Sequence, residues 1–280
     1  MAVPTFITPP PKTTFFDLEF PSAGVLLAII NRERRMNALP VGAHHEGTAI
    51  WNWLDAEPSL CVGVITGKGS KAFCAGADLL EQRDARGSSG DQPRVQSVAE
   101  GGFAGLTSRR GKKPVIAAVN GLALGGGFEI CLSCDLIVAS PKAQFALPEV
   151  LRGLYAGAGG LARVVRNCGM QIGTEIALTG RRLTVEDAVK YNLVNRVAAT
   201  PESTLDEALE LAKLIASMSP DAIIVSRAGL REAWETGNVL EAIRSTSERY
   251  SDALLSSENV RIGLEAFANK EQPKWVPSKL

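Results

Sequence analysis

The 280-residue sequence predicts an α/β fold that gives way to a helical C-terminal region. Three observations carry this reading. Short apolar runs rich in β-branched residues alternate with helix-spaced segments through the first two-thirds of the chain, the pattern of strands joined by crossover helices. Glycine clusters fall between an apolar run and the helical segment after it. From Thr200 onward β-branched clustering fades and helical spacing takes over. The expected division is an α/β core over residues 1–199 and a helical subdomain over 200–280.

Taken in order, residues 24–30, 62–66, 115–119 and 136–139 are the strand candidates. Helical spacing covers 41–55, 126–134, 160–168 and 173–178. Residues 81–102 break the alternation: Arg83, Asp84, Arg86 and Gly87-Ser88-Ser89-Gly90-Asp91 show little apolar periodicity. A structureless stretch of this length inside a compact domain reads as an insertion or a lid, and its place directly after a small-residue loop favours a lid. Beyond Thr200 a helix opens at 201–203, keeps apolar spacing over 205–218 and ends at Pro220. Further helices follow at 225–234 and 239–255.

The richest segment runs Val119-Asn120-Gly121-Leu122-Ala123-Leu124-Gly125-Gly126-Gly127-Phe128-Glu129-Ile130-Cys131. Consecutive glycines where a strand passes into a helix let backbone approach a ligand closely. The free N–H groups of the first helical turn then favour negative charge. No lysine follows at phosphate-loop spacing and no third glycine falls on a dinucleotide register. Glu129, one turn in, would repel a bound phosphate. A carbonyl that becomes an enolate only in the transition state fits better, with backbone donors for the oxyanion and a carboxylate to move a proton. The plainer alternative is that Gly125–Gly127 permit close helix packing and Glu129 lies on the surface.

Two more segments bear on that choice. Lys71-Ala72-Phe73-Cys74-Ala75-Gly76-Ala77-Asp78-Leu79 follows the 62–66 strand, and its small residues can curl into a nest of amide donors. Ala143-Gln144-Phe145-Ala146-Leu147-Pro148-Glu149-Val150 supplies a second carboxylate, ahead of the glycine-rich run at 153–160. Two carboxylates in different surroundings are what paired acid–base chemistry requires.

On these three segments, with Asn31-Arg32, Met36-Asn37-Ala38-Leu39, Gly157-Ala158-Gly159-Gly160 and Leu178-Thr179-Gly180, the chain resembles the crotonase superfamily of enoyl-CoA hydratases and isomerases, from about residue 15 to 274. The resemblance implies a spiral of ββα repeats. It also implies an oxyanion hole for the thioester carbonyl from the amides of Ala77 and Gly126. Glu129 and Glu149 match the two glutamates that activate water and exchange the α-proton. Asn37, Ala38, Ala75, Gly76, Asp78 and Leu79 match segments lining the coenzyme A channel. Lys270 and Lys274 are candidate phosphate partners, a solvated tail being the plainer reading. The helical subdomain implies a homotrimer or hexamer. Two departures, Ala156 and Phe128, bear on the acyl pocket.

The implied activity is hydration of an enoyl-CoA or the reverse dehydration, with a coenzyme A thioester as substrate and no separate cofactor or metal. Fatty-acid β-oxidation and the interconversion of mevalonyl-CoA with its anhydro form in fungal siderophore synthesis both use this chemistry. The alternative is a Δ3,Δ2-enoyl-CoA isomerase, which needs only one carboxylate. Thirty basic against 30 acidic residues give no field for nucleic acid. No apolar run is long enough for a bilayer span. Five cysteines suit a reducing compartment, and Cys131-x-x-Cys134 reads as buried thiols rather than a metal or redox pair. His44 and His45, the only histidines, read as a helix surface and its flank; no G-x-S-x-G elbow accompanies them. Ser278-Lys279-Leu280 reads as a peroxisomal address, taken up by an import receptor.

Overall fold

The computed structural model describes residues 6–87 and 99–280. An antiparallel pair, β1 (Phe16–Ser22) and β2 (Gly24–Ile30), opens the chain, and α1 (Val41–Ala56) follows. Successive ββα turns come next. The first is β3 (Leu60–Gly67), β4 (Ala72–Cys74) and α2 (Leu79–Gly87). The second is β5 (Val115–Val119), β6 (Leu122–Leu124) and α3 (Gly126–Ser133). The third is β7 (Leu136–Ala139) and β8 (Gln144–Ala146), closed by α4 (Gly160–Cys168). This is the expected spiral of ββα repeats.

In each turn the first strand joins one sheet and the second joins another. The large sheet has the order β1-β2-β3-β5-β7-β10, its last strand being β10 (Arg196–Val197). Between β8 and β10 lie α5 (Met170–Thr179), β9 (Leu183–Thr184) and α6 (Val185–Lys190). The small sheet has the order β4-β6-β8-β9. The inner strands β2, β3, β5 and β7 are almost wholly apolar because both their faces are covered, as parallel strands require. Leu26, Ala28, Ile30, Ile65, Ala117 and Val119 face the small sheet and α1. Their alternating neighbours Val25, Leu27, Val62, Val64, Ile116 and Ala118 face α7 (Thr204–Ala216), where Ala208 and Ala212 are buried. The helical region expected from residue 200 thus begins with a helix that forms an outer layer of the core.

Three helices complete the chain: α8 (Pro220–Thr236), α9 (Val239–Leu255) and α10 (Glu258–Asn269). Asp135, at the start of β7, ties α8 to the core by accepting hydrogen bonds from Arg227 (2.9 Å) and Arg231 (3.0 Å). Burial would raise the Asp135 carboxyl, but these two guanidinium groups hold it below its ordinary range.

The structure corrects the sequence reading at several points. Pro220 begins a helix: its missing N–H costs nothing at the first helical position, and the Ser219 hydroxyl caps Ala222. The preceding helix stops at Ala216. Residues 79–87 are helical rather than structureless; of the rest of the proposed lid, 88–98 lie outside the described residues and 99–102 form a turn. Strand β1 and helix α10 were not expected. Pro21 and alternating charges disguise β1, which is tolerated because it is an edge strand.

Candidate active site

The three sequence segments are brought together by the small sheet. Strands β4, β6 and β8 are only three residues each, but they run parallel, with one register shift between Ala72 and Cys74: Cys74 lies beside Ala123, and Leu124 beside Ala146. Their C-terminal ends therefore release three loops at one edge, the side on which parallel sheets place ligands. From β4 comes Ala75–Ala77, from β6 Gly125–Gly126, and from β8 Pro148–Glu149.

The glycines of 125–127 divide the work. Gly125 has φ +54° and passes under Glu149, whose Oε1 would stand 2.9 Å from any Cβ there. Gly126 opens α3 with its N–H unpaired among the described residues. Gly127 packs helix against strand, since a Cβ would fall 2.0 Å from the Cys74 carbonyl oxygen. Close packing, the plainer reading of the triplet, therefore holds for Gly127, while Gly126 keeps a free amide among the described residues.

The Ala77 amide is the second free donor. Its neighbours are spoken for: Ala75 N–H bonds the Met36 carbonyl, the Gly76 carbonyl accepts from Leu39, and Asp78 N–H bonds the Leu39 carbonyl. Only Ala77 N–H in this run is without a partner among the described residues. Gly76, at φ +93°, brings the loop against α3, because a Cβ there would sit 3.3 Å from the Gly126 nitrogen. Two unpaired amides from different loops thus stand side by side.

Glu129 is buried, not on the surface, with 3% exposure. Its Oε1 accepts the Gly160 N–H at 2.8 Å. Burial raises its pKa to about 6; the Gly160 hydrogen bond opposes the rise and the charge of Glu149 adds to it. Burial raises Glu149 as well, and its Oε2 is buried with no hydrogen-bond partner among the described residues. Burial thus disfavours the anion at both carboxyls, and the charge of Glu149 adds to this at Glu129.

Ala77 opens onto a cavity of about 560 Å³, walled also by His44, Phe103, Arg163 and residues 157–159. His45 is exposed, but His44 turns into this wall, so the reading of the pair as a helix surface holds for one of them only. Phe128 does not shape the cavity. It is fully buried and packs on Phe145 at 5.3 Å between ring centroids. Ala156 is buried in the core cluster. Cys131 and Cys134 are both free thiols that burial pushes up, Cys134 to about 12.

The residues expected to line a coenzyme A channel fall into two groups. Asn37 is 1% exposed and braces the wall from behind, accepting from Arg32 N–H and donating to the Lys68 and Ala72 carbonyls. Asp78 bonds Arg32 at 3.0 Å and the amides of Leu80 and Glu81. Burial would raise its carboxyl, but these hydrogen bonds, Arg32's first, hold it low. Both side chains are occupied by the protein itself. The Ala38 carbonyl accepts from Arg32. Leu79 and Leu80 are exposed apolar side chains beside the Ala77 donor.

Lys274 is not brought to this site. The adjacent Trp275 donates to the Ser217 carbonyl, and Ala216 packs against Gly24 at the start of β2. Arg32 and Asp78 lie past the other end of β2, and seven strand residues at about 3.3 Å each separate the two ends by roughly 20 Å. The Lys112 ammonium donates to the Leu280 carbonyl oxygen at that same far end. Sequence reading passed over the Asp135–Arg227–Arg231 clamp and the inward turn of His44, neither of which has a local pattern.

Residues 21–277 match the family model described as enoyl-CoA hydratase/isomerase. The chain is 44% identical over 282 residues to a mevalonyl-coenzyme A hydratase of Beauveria bassiana, covering 99% of this chain and 100% of that protein. It is 42% identical over 265 residues to the mevalonyl-coenzyme A hydratase of Aspergillus fumigatus, covering 94% and 95%. The crystal structure of an enoyl-CoA hydratase from Mycobacterium tuberculosis superposes with a TM-score of 0.84 at 33% identity, covering 94% of this chain and 99% of that one.

Proposed function

Because the chain belongs to the enoyl-CoA hydratase/isomerase family, we propose that this lyase interconverts mevalonyl-CoA and its anhydro enoyl-CoA form. Identity above 40% along nearly the full length to two proteins bearing that name supports the substrate. The observation that carries the chemistry is the pair of unpaired amides, Ala77 and Gly126, beside two carboxyls of raised pKa.

The thioester oxygen accepts hydrogen bonds from both amides, which strengthen as it gains charge. In dehydration the ionised carboxylate takes the proton from C2, and the electron pair moves toward the carbonyl as an enolate. The neutral carboxyl gives its proton to the C3 hydroxyl, which leaves as water while the C2–C3 double bond forms. Hydration is the reverse: one carboxylate takes a proton from water as oxygen adds to C3, and the other carboxyl protonates C2. Each direction returns the pair to one proton, so no other acid is consumed.

The exposed Leu79 and Leu80 fit the apolar part of the coenzyme A arm, with the backbone of Ala38, Ala75 and Gly76 beside them. Exposed Leu230, Leu240, Ile243 and Phe267 on α8, α9 and α10 support a trimer or a pair of trimers. In such an assembly Lys274 would serve a neighbouring subunit's coenzyme A rather than its own. The Ser278-Lys279-Leu280 tripeptide supports a peroxisomal address.

The test is turnover of purified protein with anhydromevalonyl-CoA, crotonyl-CoA and a 3-enoyl-CoA, followed by enoyl-thioester absorbance. Fastest hydration of the anhydromevalonyl thioester is the expected result. Double-bond migration without hydration would make the protein an isomerase instead.

A further inference from the structure

The geometry points to His44 as the residue that reads the far end of the acyl chain, its Nε2–H donating a hydrogen bond to a hydroxyl oxygen beyond the reacting carbons. This rests on the acyl-CoA hydratase reading above and deepens it to a substrate class. His44 lies in the first turn of α1 and walls the same cavity as the Ala77 oxyanion donor. A thioester held at Ala77 can therefore direct its acyl chain along the wall that His44 forms.

The ring is fixed in place and in tautomer. Its Nδ1 accepts the Ala104 N–H at 3.1 Å, so Nδ1 is bare and the proton resides on Nε2. The Ala104 carbonyl is taken by Trp51 Nε1 at 3.0 Å, so α1 grips both polar groups of this residue. Phe103 stacks against His44 with ring centroids 4.4 Å apart and also covers Gly126. Burial, with the charge of His45, lowers the His44 pKa to about 4, which keeps the imidazole neutral at physiological pH. Nε2 has no partner among the described residues. Arg163, the other strong donor on this wall, is already engaged with the carbonyls of Thr107 and Ala158.

A single neutral donor in a fixed direction suits a hydroxyl oxygen. An unsubstituted alkyl chain would instead leave Nε2–H desolvated and unpaired. The class selected is 3-methyl-2-enoyl-CoA bearing a terminal hydroxyl, the pattern of anhydromevalonyl-CoA.

The experiment compares kcat/KM for anhydromevalonyl-CoA with that for 3-methylpent-2-enoyl-CoA, which has the same skeleton without the hydroxyl. Wild type should favour the hydroxylated substrate by about 10-fold, the worth of one neutral hydrogen bond. His44→Phe should bring the ratio close to 1 by slowing the hydroxylated substrate alone. His44→Gln, which can accept from Ala104 and still donate, should retain most of the preference. A wild-type ratio near 1 overturns the assignment without any variant, as does an unchanged ratio in His44→Phe. Equal losses on both substrates would show that His44 only packs. Failure of wild type to hydrate either thioester would overturn the hydratase reading and this one with it.

Discussion

Gly160 donates its backbone N–H to Oε1 of Glu129 at 2.8 Å, a bond between the start of α4 and the first turn of α3. It fixes the orientation of the carboxyl, and the Ala158 backbone adds a second, weaker hydrogen bond to the same group. Glu129→Gln keeps the acceptor but cannot take a proton, so kcat should fall by roughly 10²–10⁴.

The same variant should show a pH-dependent gain in stability. Folding raises the Glu129 pKa from 4.5 to about 6. The native state therefore holds a proton that the unfolded chain has released, and stability falls as pH rises through that window. A shift of this size corresponds to roughly 2 kcal/mol. Urea unfolding should find Glu129→Gln more stable than wild type at pH 7.5 and level with it below pH 4.5. Equal stability at both pH values would mean that the carboxyl is not desolvated.

Glu149→Gln should separate activity from stability differently. With Oε2 already lacking a partner, an amide there forfeits little. The expected outcome is a kcat loss of about 10²-fold or more with an unfolding midpoint at neutral pH no lower than that of wild type, because burial disfavours the charged carboxylate here as well. Retained hydration would remove the second carboxyl from the mechanism.

Gly126→Val should disable the oxyanion hole through Phe103. Any Cβ at 126 meets the Phe103 ring at 2.6–2.8 Å, so the ring and the amide cannot both keep their places. A loss of about 2.7–4 kcal/mol in transition-state stabilisation is expected. A chromophoric enoyl-CoA that is red-shifted on wild type should lose that shift on the variant, and persistence of the shift would count against this site.

Asp135→Ala should loosen the C-terminal helices from the core. It strands the buried Arg227 guanidinium, a change worth about 3–5 kcal/mol. Denaturant titration should show this loss, and adding Arg227→Met should recover much of it. Deleting Ser278-Lys279-Leu280 should by contrast spare kinetics and assembly while abolishing peroxisomal import, read by microscopy of a tagged chain.

Much of the large sheet was legible in the sequence. Runs such as Gly24–Ile30 and Val115–Val119 are apolar on both faces because both are buried, and that signal survives without knowledge of the partners. The Gly125–Glu129 junction was legible because three consecutive glycines are costly unless backbone must come close to something. Ala72–Cys74, Leu122–Leu124 and Gln144–Ala146 were not legible as strands, since three residues are too few to show a period.

By itself, then, the sequence determined which groups are candidates for this protein's chemistry: two glutamates, two small-residue loops and the apolar strands that carry them. The tertiary structure alone decided which of those groups are free to act. Ala77 and Gly126 keep amides unpaired among the described residues, while Asn37 and Asp78 are occupied within the wall. His44 faces the cavity and His45 faces solvent because Ala104, 60 residues away, donates to one ring and not the other. Hydrogen-bond occupancy belongs to pairs of residues far apart in the chain, so no local pattern could record it.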